Sequence, residues 1–337
     1  MTALLDPVPA DRRGPVSAAL TAAFGAAPIA ALHPVTGGAS GALTFRVEAA
    51  GRPCLLRVEG RRTPLRNPHQ YTCMQIASDA GIAPPVRHID DAGGIAVMDF
   101  IATRPLEEFP GGPVALARSA GALIGRLQAT PVFPQFFDYF AILARMLAFI
   151  KGANVFAPGL LDQHIEGFER IREAYPKDIA QVSSHNDPNP RNMLFDGTRL
   201  WLIDWETAYR NDPLADIAIA MDQLGTMPGA EEAVLAGAHG AAPDALLRAR
   251  LTLMRPVTRL YYAGLSFAPL AAVPREKPDS DLRAPTPAEL RRAVAEGRLS
   301  ITGPDMLYTL GKMQLAGFLA GLAAPDFEDA LAMVRGG

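Results

Sequence analysis

His185-Asn186-Asp187-Pro188-Asn189-Pro190-Arg191-Asn192, followed by Leu202-Ile203-Asp204-Trp205-Glu206, is the stretch that decides how this chain is read. Between the two lie short apolar runs, Met193 to Phe195 and Leu200 to Ile203, joined by Asp196-Gly197, a strong tight-turn pair. The resulting hairpin brings Asn192 and Asp204 side by side. Their oxygens are hard donors, suited to Mg²⁺ and unsuited to zinc. Asp187 sits on a proline-stiffened loop, where a carboxylate can accept or orient a hydroxyl proton. Phosphoryl transfer needs these parts, because it is mostly positioning and charge stabilisation. The plainer reading is that Asp-Pro and Asn-Pro build a turn and Asp204 ends a strand. A His-x-Asp-x-x-x-x-Asn string with an apolar run ending in Asp twelve residues later argues against coincidence.

Working outward, residues 16–24 read as a short helix, and residues 32–100 are β-rich. Thr44 to Glu48 and Cys54 to Glu59 form a hairpin signal, as do Val86 to Ile89 and Ile95 to Ile101 around Asp90-Asp91-Ala92-Gly93-Gly94. Asn67 to Ala80 reads as a helix closed by Gly81 and stopped by Pro84 and Pro85. Helical spacing then takes over in Pro113 to Thr130, Phe137 to Ile150 and Gly159 to Tyr175. Beyond the hairpin, Asp212-Pro213 starts a helix, 243–270 forms a long one, and Thr286-Pro287-Ala288-Glu289 is a capping box. Val273 to Pro287, rich in proline and mixed charge, reads as a mobile surface loop. The expected fold class is α+β and bilobal. Residues 1–103 make a small sheet-plus-helix lobe with a connector near 98–103, and 104–337 make a larger, mainly helical lobe.

Composition closes other doors. The chain has 337 residues, 49% of them apolar, enough for a large core without disulfides or metals. Its 32 basic and 35 acidic residues give a net charge of −3, without the clustered cationic excess that a nucleic-acid binder needs. Two cysteines, Cys54 and Cys73, make no disulfide framework, and no His/Cys group has zinc spacing. The first residues lack a basic segment leading into an apolar one, and no apolar run approaches ~18 residues. A cytoplasmic protein with no membrane partner is therefore expected. Only four of the 32 basic residues are lysines, all at or beyond Lys151.

The motifs around His185 to Asn192 and Leu202 to Ala218 resemble the choline kinase and aminoglycoside phosphotransferase superfamily, which has the protein-kinase-like fold. The likeness runs from Thr36 to about Gln223 and is weak beyond 225. It implies an ATP- and Mg²⁺-dependent kinase acting on a hydroxyl of a small molecule. By that likeness Asp187 is the catalytic base, Asn192 and Asp204 hold the metal, His185 braces the loop and Asp216 anchors it. Ile203-Asp204-Trp205-Glu206 followed by Asn211-Asp212-Pro213 tilts toward the choline and ethanolamine kinase branch. No Ala-Pro-Glu string closes an activation segment, which disfavours a protein kinase.

On the nucleotide side, Gly37, Gly38 and Ser40 lie where a loop would cover the ATP phosphates, although a Gly-Gly hairpin with no ligand reads equally well. The family's strand lysine has no counterpart here. Arg57 matches its position and offers a bidentate fork, unless it is an ordinary strand charge. The helix glutamate that would pair with it is replaced by Gln70, an amide without charge. Met98, Asp99, Phe100 and Ile101 would supply backbone groups to adenine. For the acceptor, Trp205, Glu206, Tyr261 and Tyr262 are candidates for an aromatic and acidic box around a cation, with core packing the alternative. Tyr261 and Tyr262 point about 100° apart on a helix, so only one can face the site. Residues 205–337 hold 13 cations and 16 acids, a mild excess that would welcome an amino alcohol such as choline or ethanolamine. The alternatives are an aminoglycoside- or sugar-type kinase and a nucleotide-binding pseudokinase.

Overall fold

Strict alternation along β3 shows how the first lobe is built. In the computed structural model, which describes residues 3–35, 41–49, 51–60, 67–225, 227–240, 243–272 and 277–336, Cys54, Leu56 and Val58 of β3 (Arg52–Val58) point into a core under α1 (Arg13–Phe24). The intervening Leu55 and Arg57 therefore face the opposite side of the sheet. β1 (Ile29–Pro34), β2 (Leu43–Ala49), β3, β4 (Val86–Asp90) and β5 (Ile95–Asp99) form one antiparallel sheet in the order β1-β2-β3-β5-β4. β5 is buried on both faces: Ile95 and Val97 join the core under α1, while Ala96 and Met98 pack with α2 (Gln70–Asp79).

Two boundaries differ from the sequence reading. The strand expected to reach Ile101 stops at Asp99, because the next residue opposite on β3 is Pro53, which has no N–H to continue the ladder. The helix expected from Asn67 starts at Gln70. Asn67 instead makes a turn, its side-chain oxygen accepting the His69 N–H at 2.9 Å and its amide reaching the Ala208 carbonyl.

The second lobe contains α3 (Gly112–Gln128), α4 (Tyr139–Gly152), α5 (Asp162–Ala174), β6 (Val182–Ser184), β7 (Met193–Phe195), β8 (Leu200–Leu202), β9 (Tyr209–Asn211), α6 (Pro213–Leu224), α7 (Ala230–His239), α8 (Ala245–Ala271), α9 (Pro287–Ala295), α10 (Pro304–Leu322) and α11 (Phe327–Gly336). Its core is built from α3 to α8 with α10 and α11. α3 and α7 touch backbone to backbone: a Cβ on Gly121 would lie 2.0 Å from the Val234 carbonyl oxygen. A second cluster joins the β7–β8 hairpin, α3, α2 and the inner face of β5, so the two lobes share apolar packing. Among the described residues no helix is long and apolar enough to cross a membrane.

The loop expected to be mobile is tethered where it is described. Its residues 273–276 lie outside the described residues, but Asp279 exchanges backbone bonds with Val155 and Ala157 and pairs with Lys312 at 2.7 Å. Desolvation pushes the Asp279 carboxyl up, but hydrogen bonds from Lys312 and Tyr308 outweigh it and hold the group at about 2.

Candidate active site

β6 and β9, three residues each and too short to read from the sequence, pair with one another and place the His185 loop. Immediately after β6, the His185 and Asn186 N–H groups donate to the two oxygens of Asp216 at 2.8 and 2.7 Å. Asp216 lies in the first turn of α6 and is fully buried. Burial pushes its carboxyl up, against the pull of His185 and the N–H donors. Asn186 adopts a left-handed backbone (φ 60°), which asparagine tolerates better than most residues. Its amide donates to the Thr207 carbonyl at 2.9 Å and its oxygen accepts from Asn211 at 2.7 Å. The buried His185 ring donates from Nε2 to the Ile203 carbonyl at 2.9 Å, tying the loop to the end of the hairpin.

Asp187 emerges from this frame with its carboxylate aimed by three donors. Oδ1 accepts from the Asn189 amide at 2.6 Å and the Tyr262 hydroxyl at 2.5 Å, and Oδ2 accepts from the Asn192 amide at 2.9 Å. Burial and the Asp187 charge raise the Tyr262 phenol well above its ordinary value, so it stays a donor. Among the described residues Oδ2 accepts no further side-chain hydrogen bond.

Asn192 and Asp204 lie at the same end of the hairpin, where the Ile203 N–H donates to the Asn192 carbonyl at 3.0 Å. Because the Asn192 nitrogen is spent on Asp187, its side-chain oxygen is left for a cation. Asp204 also has a left-handed backbone (φ 68°), an uncommon conformation for a residue with a Cβ. Its carboxylate is only partly covered and meets Arg57 Nη2 at 3.3 Å. Two hard oxygen donors, one of them anionic, fit a Mg²⁺ whose remaining ligands nucleotide phosphates would supply.

The nucleotide side needs correction. Gln70 does not pair with Arg57; its amide donates to Glu59, and both are buried. Arg57 crosses the cleft instead, Nη2 donating to Asp204 and to Glu206. Glu206, expected at the acceptor, is thus the carboxylate that holds the arginine. The remaining nitrogens of Arg57, Nε and Nη1, make no hydrogen bond among the described residues. Along the connector, the Asp99 N–H is taken by the Pro85 carbonyl at 2.8 Å and the Phe100 N–H by the Pro53 carbonyl at 3.3 Å. Ile101 is the first whose N–H makes no backbone bond to another described residue. The Asp99 side chain is held by Arg87. Gly37, Gly38 and Ser40 lie outside the described residues.

The aromatic box does not form. Trp205 is 2% exposed, packed on the His185 ring (centroids 4.8 Å apart) and on Phe133; Tyr261 is 4% exposed and packs on Tyr139. Both belong to the core, where large rings bury most area. Of the four acceptor candidates, Tyr262 lines a cavity. That cavity, about 210 Å³, lies between α6, α8 and α10 and is lined in part by Asp222, Gln223, Arg259 and Gln314. No local sequence motif pointed to these residues, because they come from three helices.

The Phosphotransferase enzyme family (APH) matches residues 31–252. Over 92 residues, 27% of this chain, the sequence is 38% identical to Protein LicA of Haemophilus influenzae, and the match spans only 25% of that relative's length. A choline/ethanolamine kinase family protein from Mesorhizobium loti has a similar fold, with a TM-score of 0.67 and 23% identity over 97% of this chain and 100% of that one. So does choline kinase LicA from Streptococcus pneumoniae, with a TM-score of 0.61 and 13% identity over 93% and 99%. A LicA in complex with AMP superimposes at a TM-score of 0.58, with 13% identity over 88% of this chain and 94% of that one. The likeness to these structures gives the fold, and the family match takes in both the sheet and the His185 loop: the chain belongs to the phosphotransferase enzyme family.

Proposed function

We propose that this kinase moves the γ-phosphate of ATP, bound with Mg²⁺, to the hydroxyl of a small amino alcohol of the choline or ethanolamine type. The observation that carries the reading is the Asp187 carboxylate, fixed by Asn189, Asn192 and Tyr262, with Oδ2 accepting no further side-chain hydrogen bond among the described residues. An acceptor hydroxyl docked there gives its proton to Asp187. Its oxygen bonds to the γ-phosphorus as the bond to the bridging oxygen of ADP breaks, and the proton stays on Asp187 until product leaves. Mg²⁺ held by Asn192 and Asp204 would neutralise phosphate charge. Arg57, gripped by Glu206 through Nη2, keeps Nε and Nη1 for phosphate oxygens, a fork suited to them. The Ile101 N–H is the connector donor we assign to adenine. The amino-alcohol class rests on the likeness to choline and ethanolamine kinases, and a cytoplasmic location fits a reaction fed by ATP.

The test is ADP release measured with choline, ethanolamine, an aminoglycoside and a sugar, each against a no-acceptor control. Stimulation by an amino alcohol supports the reading. Stimulation only by the aminoglycoside or the sugar replaces the acceptor and keeps the kinase.

A further inference from the structure

The cavity beside Asp187 has a chemistry that discriminates within the amino alcohols. It is one side chain from the base, since Tyr262 lines it and donates to Asp187. At about 210 Å³ it falls below the usual range of drug-sized pockets and suits an acceptor of few heavy atoms.

Its charges cancel. Asp222 Oδ1 accepts from Arg255 Nε and Nη2 at 2.9 and 2.7 Å and from Arg259 Nη2 at 2.8 Å; Asp222 Oδ2 accepts from Arg259 Nε at 2.5 Å. Arg255 also pairs with Glu231. Two carboxylates thus face two guanidiniums, and the carboxylate lining the cavity is already paired. Arg259, which also donates to the Gly317 carbonyl at 2.9 Å, has two N–H groups without a partner among the described residues. The Gln223 and Gln314 carboxamides make no side-chain hydrogen bond among the described residues. Tyr262 is the one aromatic ring in the lining, and its hydroxyl is committed to Asp187.

A quaternary ammonium finds little here. It donates no hydrogen bond and is held by stacked ring faces or free carboxylates. In this cavity it would lie against the Arg259 guanidinium and leave the half-buried Gln314 carboxamide without a partner. A head group with N–H or O–H donors has partners in the two carboxamide oxygens and in Asp222 Oδ2, which carries a single hydrogen bond.

Building on the phosphotransferase reading, we infer that this cavity is the acceptor pocket and that it takes acceptors whose head group donates hydrogen bonds, a primary ammonium or further hydroxyls, and excludes a quaternary ammonium. The test is calorimetric titration of the full chain, with Mg²⁺ and a non-hydrolysable ATP analogue present, using ethanolamine, glycerol and choline as probes. ADP release with ATP is measured in parallel. Ethanolamine or glycerol should bind roughly ten- to hundredfold more tightly than choline. Gln314→Leu and Gln223→Leu should each erase most of that preference. Preference for ethanolamine over glycerol identifies an ammonium head, and parity identifies a neutral polyol. Choline binding as tightly as the other probes, or binding by none of the three, overturns the assignment. Binding of ethanolamine or glycerol without ADP release leaves the pocket's ligand class standing and takes down the phosphotransfer reading instead.

Discussion

The two sides of the cleft are held in different ways. On the helical side, the loop that carries Asp187 is fastened by buried groups whose hydrogen bonds are nearly all accounted for: Asp216 under two backbone N–H groups, Asn186 into two carbonyls, His185 into the end of the hairpin. On the sheet side, one guanidinium reaches over from β3 and is held by carboxylates that remain 33% and 42% exposed, Asp204 and Glu206. The first arrangement fixes a geometry before any ligand arrives. The second is a screened charge contact that nucleotide phosphates can join or reshape. Substitutions on the helical side should therefore strike turnover or folding, and those on the sheet side should strike the apparent affinity for ATP.

The largest effect expected is that of Asp187→Asn, which should keep ATP binding and lower kcat by roughly 10²- to 10⁴-fold, the usual span for a positioned base. Steady-state kinetics with a saturating acceptor checks this. Asp204→Ala comes next: the hairpin loses its anionic oxygen, so Mg²⁺ should no longer strengthen nucleotide binding. Titrating Mg²⁺ against nucleotide affinity reads it, and an unchanged metal dependence would make Asp204 a structural residue. Asp216→Asn removes one of two acceptors from a buried site and should lower unfolding stability by about 1–3 kcal/mol in urea titration. If stability held while kcat fell, the helical side would be less rigid than its buried hydrogen bonds imply.

Smaller effects follow across the cleft. Arg57→Ala should raise KM for ATP by roughly tenfold with a lesser change in kcat, and Glu206→Gln should do the same more weakly, in line with about 0.2–1 kcal/mol for a partly exposed pair. Gln70→Ala should leave KM for ATP within about twofold, because its partner is Glu59 and its loss is one buried hydrogen bond. A Gln70 variant more damaging to ATP affinity than the Glu206 variant would reverse this assignment of the arginine's partner.

The two sides also differed in how far the sequence revealed them. Asp187, Asn192 and Asp204 are within eighteen residues; Asn192 touches Asp187, and the Asp196-Gly197 turn returns Asp204 to the end of the hairpin that carries Asn192. Arg57 was legible as the strand cation, and the alternating burial of β3 turns it away from Leu56 and Val58. Its partner was not legible, because Glu206 lies 149 residues away and only the meeting of the lobes brings it close. For the helix pair Tyr261 and Tyr262, periodicity showed that one could face the site, but packing decided that it is Tyr262. Trp205 directly follows a metal-ligand candidate yet turns into the core, since the chain leaves β8 through a short turn rather than a continued strand. The cavity was invisible for the same reason as Glu206: Asp222, Arg259 and Gln314 belong to three helices without any shared local pattern.

The most direct test of the whole account follows phosphorus by ³¹P NMR while the enzyme, ATP, Mg²⁺ and ethanolamine react, beside an Asp187→Asn sample. A phosphomonoester resonance growing in step with ADP in the native protein, and slowed roughly 10²-fold or more in the variant, is the predicted result. ADP accompanied only by inorganic phosphate, or equal ester formation in both samples, would contradict it.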